Sequence, residues 1–179
     1  MGFLCLKIMS HLLDCSYSFR DGLGYDMALH LYLDFDGVTH RLGEAAVDDG
    51  FRLLDNPNLF LWLPILETLL EPYPTVRIVV SSDWRRLFDD DALKQLLRPS
   101  LASRFVGVVE VIETSRANEI QIDAERRGLA SWVALDDHPT VIEASQTDPR
   151  YIACDSATGL SNPRVQRQLQ CYLAKEASC

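Results

Sequence analysis

From residue 27 onward, short apolar runs of strand length alternate with segments whose apolar residues recur at helical spacing, and this alternation leaves few folds open. The strand-length runs are nearly continuous in apolar residues, as in LHLYLDF and TVRIVVS. Strands of that kind are buried on both faces, and alternation with helices places them parallel in one sheet. We therefore predict an α/β fold, a three-layer, doubly wound parallel sheet of about five strands.

Apolar runs and capping residues locate the individual elements. The predicted strands lie at residues 29–35, 75–81, 105–111, 131–136 and 150–154. The predicted helices lie at residues 58–71, at 84–97 as one helix or two short ones, after the cap Ser115, and after Ser161-Asn162-Pro163. Pro64 marks a site for a kink in the first helix, and Gly128 is expected to end the helix that Ser115 begins.

The length and composition fit one globular domain. The chain has 179 residues, of which 47% are hydrophobic and 24% charged. Residues 1–26 lack the strand and helix alternation of the remaining chain and are expected to form a weakly structured N-terminal extension, with residues 27–179 forming the domain.

No run approaches the roughly 20 apolar residues of a membrane helix. The five cysteines are odd in number and lack C-x-x-C spacing, which argues against a disulfide framework or a zinc site and favours a reducing cytoplasm.

The net charge bears on the choice of partner. The formal charge is −9, so the overall field repels polyanions, and RNA binding would require a local basic patch. The basic pairs Arg85-Arg86 and Arg126-Arg127 are short, and such pairs are usually solvated surface features. RNA is therefore a possible partner that the charge disfavours.

Three predicted strands end on polar side chains. The first runs into Asp34 and Asp36, the second ends at Ser81, and the fourth ends at Asp136 and Asp137. In a parallel sheet, ligands bind beyond the carboxyl ends of the strands. Two carboxylates about 4 Å apart repel by roughly 4 kcal/mol at an effective dielectric near 20, so the cluster requires a cation or raised pKa values. The all-oxygen set favours Mg²⁺.

A simpler explanation exists for each polar residue taken alone. Aspartate at a strand end is common turn chemistry, and Asp36-Gly37 is by itself a good turn signal. The convergence of three suitable strand ends in one α/β pattern outweighs that explanation.

Several motifs together resemble a known family. DFDGV after an apolar strand, IVVSS at the end of the next, and VALDD further on resemble the motifs of the haloacid dehalogenase (HAD) superfamily of phosphohydrolases. More narrowly, LDFDGV, VVSSDWR, SRANEI, ALDDHP and the late GLS resemble the HAD domain associated with Swiss Army Knife RNA repair proteins. The resemblance covers about residues 29 to 162 and implies a Rossmannoid, HAD-like fold.

The resemblance implies catalytic roles for individual residues. Asp34 would be the nucleophile that becomes an aspartyl phosphate, and Asp36 would protonate the leaving oxygen and then activate water. Ser81 would hydrogen-bond a phosphoryl oxygen. Arg116 would neutralise the charge of the phosphoryl group, with Lys94 as the alternative.

The resemblance also implies a metal site. Mg²⁺ would be held by Asp34, the backbone carbonyl of Asp36, and Asp136, with Asp137 close by.

Neighbouring residues carry weaker signals. Trp84 is interpreted as a packing anchor and His138 as a helix cap, whereas His40 is placed in a flexible segment from which it could approach a substrate. Asp83 stands where a hydroxyl residue is expected and adds negative charge near the phosphate.

The segments between the motifs bear on the substrate. Those between Asp36 and Ser81 and between Arg116 and Asp136 are too short for a large cap domain. An open site of this kind favours a bulky phosphorylated substrate or a partner that completes it, although a small substrate stays open.

The resulting prediction is a Mg²⁺-dependent phosphatase that hydrolyses a phosphate monoester through an aspartyl phosphate. Its substrate is left open, with a phosphorylated macromolecule or an RNA end among the candidates. The alternative is a catalytically weak phosphate- or metal-binding module acting through a partner. A receiver-like signalling domain is disfavoured because IVVSS and FVGVVEV offer no phosphoacceptor aspartate.

Overall fold

The computed structural model describes residues 28–50 and 52–178, so the expected extension at residues 1–26 lies outside the described residues. Five strands form one sheet: β1 (His30–Leu33), β2 (Arg77–Val80), β3 (Phe105–Val108), β4 (Trp132–Asp136) and β5 (Tyr151–Ala153). Every pairing is parallel, and the strand order is β3-β2-β1-β4-β5. The predicted α/β class and parallel five-stranded sheet are confirmed.

Helices connect the strands. They are α1 (Leu63–Leu70), α2 (Asp90–Leu96), α3 (Pro99–Ala102), α4 (Arg116–Arg126), α5 (Pro139–Ala144) and α6 (Pro163–Glu176), with short 3₁₀ helices at Asp83–Arg86 and Gly159–Ser161. No cap domain interrupts the described residues between the motifs. Within residues 28–50 and 52–178, no helix is long and apolar enough to span a membrane.

Two apolar layers cover the sheet, one on each face. Leu31 and Leu33 of β1 pack with α1 and α6 on one face, whereas Tyr32 packs with α4 and α5 on the other. Side chains along a strand alternate between faces, so a strand buried on both sides must be apolar at every position. The near-continuous apolar runs in the sequence have this origin.

The register of the central strand positions the site. Leu33 is the Cα partner of both Val80 on β2 and Leu135 on β4. Because the three strands are parallel and end at the same level, the residues that follow them emerge side by side. The strand ends that carry Asp34, Ser81 and Asp136 therefore meet at one edge of the sheet.

Most local predictions hold, but the predicted start and kink of the first helix are wrong. Ser115 caps α4, its side chain accepting from the backbone N–H of Asn118 at 3.4 Å, and Gly128 follows α4 with φ +63°. Pro64 does not kink a helix: α1 begins at Leu63, and proline stands in its first turn, where its missing N–H costs nothing. The helix cannot start at residue 58 because Phe60 has φ +57°, outside the right-handed helical region.

Candidate active site

Three carboxylates meet beyond the ends of β1 and β4. Oxygen atoms of Asp34, Asp136 and Asp137 all lie within 4.8 Å of one another. The backbone N–H of Phe35 donates to Asp34 Oδ1 at 2.8 Å, and that of His138 donates to Asp136 Oδ1 at 2.8 Å, so both side chains are held in place. The structure thus brings three of the predicted acidic residues together.

The three carboxylates cannot readily all be charged at once. Burial, and then the negative charge of Asp136, raise the pKa of Asp34 to about 8. Burial and the charges of Asp34 and Asp36 raise the pKa of Asp137 to about 6. Each raised pKa means that the charged form of the carboxylate is unfavourable there and that a nearby positive charge would stabilise it.

Arg116 supplies part of that charge. It is the first residue of α4, and its guanidinium lies 3.2 Å from Asp136 and 3.7 Å from Asp34. Burial alone would lower the pKa of Arg116, but the carboxylates of Asp136 and Asp34 raise it above its ordinary value. The alternative, Lys94, is exposed on α2 and is not among the residues that line the site.

One guanidinium does not neutralise three carboxylates, and the donor set fits a hard divalent cation. All three side chains offer oxygen, the ligand atom that Mg²⁺ prefers. The trio is therefore a candidate metal site. The side chain of Asp36 is not part of it, so Asp36 would contribute through its backbone carbonyl, as the sequence resemblance implies.

Gly37 allows the turn after Asp36 to approach the trio. Its φ is +67°, and a Cβ atom at this position would lie 2.0 Å from Asp137 Oδ2. A larger residue would displace Asp137 and strain the backbone as well. The glycine of the DFDG motif is thus required by both space and conformation.

The Asp36 side chain lies beside the trio and is held by two buried donors. Trp84 Nε1 donates to Oδ2 at 2.6 Å, and His40 Nε2 lies 3.1 Å from Oδ1. Burial would raise the pKa of Asp36, but the hydrogen bonds from His40 and Trp84 hold it below its ordinary value. The expectation that His40 lies in a flexible segment is wrong, because its side chain is fully buried.

The two serines after β2 differ in environment. Ser81 is fully buried, and its Oγ has no hydrogen-bond partner among the described residues. Ser82 lines the groove in front of the carboxylates. A buried hydroxyl without a protein partner is uncommon, and a bound polar group is one explanation for it.

A second ionic layer lies behind the site, and the interpretation of Arg85 as a solvated surface residue is wrong, because its side chain is fully buried. Arg85 and Glu119 form a buried ion pair, and Arg85 also donates to the backbone carbonyls of Ser81 and Ser82. Glu119 lies one helical turn after Arg116, within 4.0 Å of it. This i, i+3 spacing is the only signal of Glu119 in the sequence.

A groove of about 1470 Å³ runs from the carboxylates along α5 and β5 to α6. Its volume exceeds that of most small-ligand pockets, which are roughly 300–1,000 Å³. Arg164 and Arg167 of α6 also line it, both are exposed, and neither forms an ion pair within the described part of the chain. The groove thus combines acidic and basic side chains.

The comparison with protein-family models identifies the family. The model described as the HAD domain in Swiss Army Knife RNA repair proteins matches residues 30–165, more than half of the chain. The chain belongs to this family of the haloacid dehalogenase superfamily, which confirms the resemblance drawn from its motifs. Membership points to a phosphohydrolase-type function. A search of the curated proteins and a search of the solved structures found no match.

Proposed function

We propose that the protein is a Mg²⁺-dependent phosphatase that hydrolyses a phosphate monoester through an aspartyl-phosphate intermediate. The observation that carries the proposal is the position of Asp34, which lies at the end of the central strand with Asp136 and Asp137 within 4.8 Å and Arg116 at 3.7 Å. A carboxylate placed among acidic ligands and one arginine suits attack on a phosphoryl group.

In the proposed first step, a carboxylate oxygen of Asp34 forms a bond to phosphorus as the bond to the leaving oxygen breaks. The carboxyl proton of Asp36 passes to that oxygen, and the alcohol departs. In the second step, Asp36 takes a proton from water, whose oxygen bonds to phosphorus and releases inorganic phosphate from Asp34. The cycle ends with both carboxyl groups restored.

Other residues would bind the phosphoryl group and the cation. Ser81 Oγ, buried and without a protein partner, would donate to a phosphoryl oxygen, and Arg116 would offset negative charge. Mg²⁺ would be held by Asp34, the backbone carbonyl of Asp36, Asp136 and Asp137. When bound, it would offset the charge of the carboxylates and of the phosphoryl oxygens.

The substrate class follows from the shape of the groove. No cap domain covers the site within the described residues, and the groove is larger than a small phosphate ester requires. These features favour a phosphorylated macromolecule, such as an RNA end, over a small metabolite. The net charge of −9 opposes RNA, but Arg164 and Arg167 place positive charge in the groove.

A compartment can also be proposed. Cys154 and Cys171 are free thiols, which is consistent with a reducing compartment such as the cytoplasm.

The test is hydrolysis of p-nitrophenyl phosphate by the full chain. We expect turnover with Mg²⁺, loss of turnover with EDTA, and a fall of at least about 10³-fold for Asp34→Asn, which removes the nucleophile. Asp91→Asn, an exposed change on α2, is the control and should keep wild-type activity. An undiminished Mg²⁺-dependent rate in Asp34→Asn would refute the nucleophile assignment.

A second candidate is a weakly catalytic phosphate- or metal-binding module that acts through a partner. One contact favours this candidate. The Asp83 carboxylate lies 2.8 Å from the Arg116 guanidinium, so it already pairs with the side chain that would bind the phosphate. Mg²⁺ binding without turnover on a broad panel of phosphate esters would support this candidate.

A further inference from the structure

Asp36 is held from two directions by buried donors. Trp84 Nε1 contacts Oδ2 and His40 Nε2 contacts Oδ1, at 2.6 and 3.1 Å. The His40 side chain is fully buried, whereas the Asp36 side chain keeps 27% of its surface exposed and lines the groove. Each carboxylate oxygen thus has a protein partner, while one side of the group stays open to substrate.

The two donors are themselves fixed in place. Phe35, His40, Phe60, Trp84 and Phe88 form an aromatic cluster whose contacting rings have centroids 5.1 to 5.9 Å apart. His40 Nδ1 lies 3.1 Å from Thr39 Oγ1, which donates to the backbone carbonyl of Phe35 at 3.0 Å. Neither ring can rotate without breaking several contacts, so the positions of Nε1 and Nε2 are well defined.

We propose that Trp84 and His40 are positioning residues for proton transfer by Asp36, an inference that rests on the proposed function. Transfer to the leaving oxygen requires a heavy-atom separation of about 2.6–3.2 Å. A carboxylate on a strand-end turn can rotate about its Cβ–Cγ bond, and the two hydrogen bonds remove that freedom. They keep the open side of Asp36 toward the groove.

The rival explanation is that Trp84 only fills the core. Trp84→Phe separates the two roles, because it keeps an aromatic ring against Phe35 and Phe60 but removes the N–H that contacts Asp36. A purely structural role would lower activity on every substrate alike. In the first step, which kcat/KM reports, a positioning role would lower activity only where the leaving group needs a proton, whereas the second step is common to both substrates.

The test therefore compares two substrates. p-Nitrophenolate leaves as a stable anion, whereas the alkoxide of glycerol 2-phosphate requires a proton in the transition state. For Trp84→Phe we expect kcat/KM, which reports the first step, to fall about 10- to 100-fold on glycerol 2-phosphate and less than about threefold on p-nitrophenyl phosphate. An equal fall on both substrates would overturn the proposal.

Matched variants sharpen the result. Trp62→Phe makes the same substitution at a partly buried tryptophan of the same apolar layer that has no contact with Asp36, and it should affect both substrates equally. His40→Gln retains a donor near the Nε2 position and should keep more activity on glycerol 2-phosphate than His40→Leu. If the His40 variants fail to fold in a thermal melt, Trp84→Phe decides the question.

A double-mutant comparison tests whether Trp84 acts through Asp36. In an Asp36→Asn background, Trp84→Phe should cause no further loss on glycerol 2-phosphate, because the group that it positions is gone. A full additive loss would overturn the proposal. If the wild-type protein shows no Mg²⁺-dependent turnover of either substrate, the proposed function is refuted and this role with it. If the wild-type protein turns over both substrates but Trp84→Phe slows both equally, only the role is refuted.

Discussion

Arg116 already has anionic partners on every side of its guanidinium. Carboxylates of Asp34, Asp83, Asp136 and Glu119 lie within 4.0 Å of it, and the contact with Asp83 is the shortest, at 2.8 Å. Asp83 is also the most exposed of the four, with 61% of its side-chain surface open. A substrate phosphate that binds Arg116 must compete with this carboxylate.

Removing the Asp83 charge should strengthen phosphate binding. For Asp83→Asn we expect the inhibition constant of inorganic phosphate to fall about tenfold, because Arg116 loses a competing anion and the groove loses a repulsive charge. The measurement is competitive inhibition of Mg²⁺-dependent hydrolysis of p-nitrophenyl phosphate. Asp91→Asn changes the net charge equally, away from Arg116, and should leave the constant unchanged. An unchanged constant in Asp83→Asn would contradict the prediction.

At the scale of residues, the sequence predicts the position of side chains that follow strand ends, but it does not predict the position of side chains that tertiary packing sets. The convergence of Asp34, Asp136 and Asp137 is predictable because each follows an apolar run that is visible in the chain. The burial of His40 and its contact with Trp84 depend on aromatic packing between segments far apart in sequence, and no local pattern encodes such packing.

At the scale of elements, the 3₁₀ helix Gly159–Ser161 supports the turn that carries Asp36. The backbone N–H of Leu160 donates to the carbonyl of Val38 at 3.0 Å. A Cβ atom on Gly159 would lie 2.6 Å from that carbonyl oxygen and 2.7 Å from the oxygen of Gly37. The GLS motif, far along the chain, thus contacts the DFDG turn directly.

Gly159→Ala should therefore destabilise the protein by about 2–4 kcal/mol, since the methyl group meets backbone that cannot yield easily and φ is +41°. Urea unfolding gives the loss. Gly128→Ala is the matched control: its φ is also positive, at +63°, but nothing lies within 4 Å, so we expect a loss of only about 1 kcal/mol. Equal losses in the two variants would show that the close contact is unimportant.

Element boundaries are predicted best where the signal is local. The caps at Ser115 and Asn162 hold because a cap needs only the next three residues, and the Asn162 side chain accepts from the N–H of Arg164 at 2.9 Å. His138 caps α5 in the same way, as interpreted from the sequence. The first helix is predicted too long because the left-handed conformation of Phe60 is set by tertiary contacts.

At the scale of the whole molecule, the acidic site should make stability depend on pH and, if the proposed function holds, on Mg²⁺. The pKa of Asp34 is raised to about 8 and that of Asp137 to about 6, so the folded protein binds protons that the unfolded chain releases near its ordinary aspartate pKa. The resulting stabilisation is complete at pH values below that ordinary pKa and is lost as the pH rises through 6 to 8.

In EDTA, we therefore expect the Tm of the wild-type protein to fall between about pH 6 and 8, and added Mg²⁺ to raise it most at pH 8. Asp34→Asn cannot ionise at this position, so its Tm in EDTA should fall less over the same range. Thermal unfolding followed by circular dichroism measures both. A wild-type Tm in EDTA that falls no more than that of the variant across this range, or that rises, would contradict the sign of the shift.

The overall architecture is the most predictable level. Five apolar runs alternating with helical segments admit few arrangements, and parallel strands buried on both faces account for the continuous runs. The spatial order β3-β2-β1-β4-β5 was not predicted, because it depends on which side of β1 each crossover takes. That order places Asp34 at the end of the middle strand of the sheet.

The buried pair of Arg85 and Glu119 constrains how this chain can diverge. Arg85 is bonded to Glu119 and to the carbonyls of both serines, so a mutation that deletes either partner breaks a buried ion pair and leaves the other charge with only longer ionic contacts, which commonly costs about 3–5 kcal/mol. A descendant could exchange the pair for apolar side chains only by changing both codons. The single mutant on that route would be destabilised and removed by selection, so the two positions should change together in related sequences.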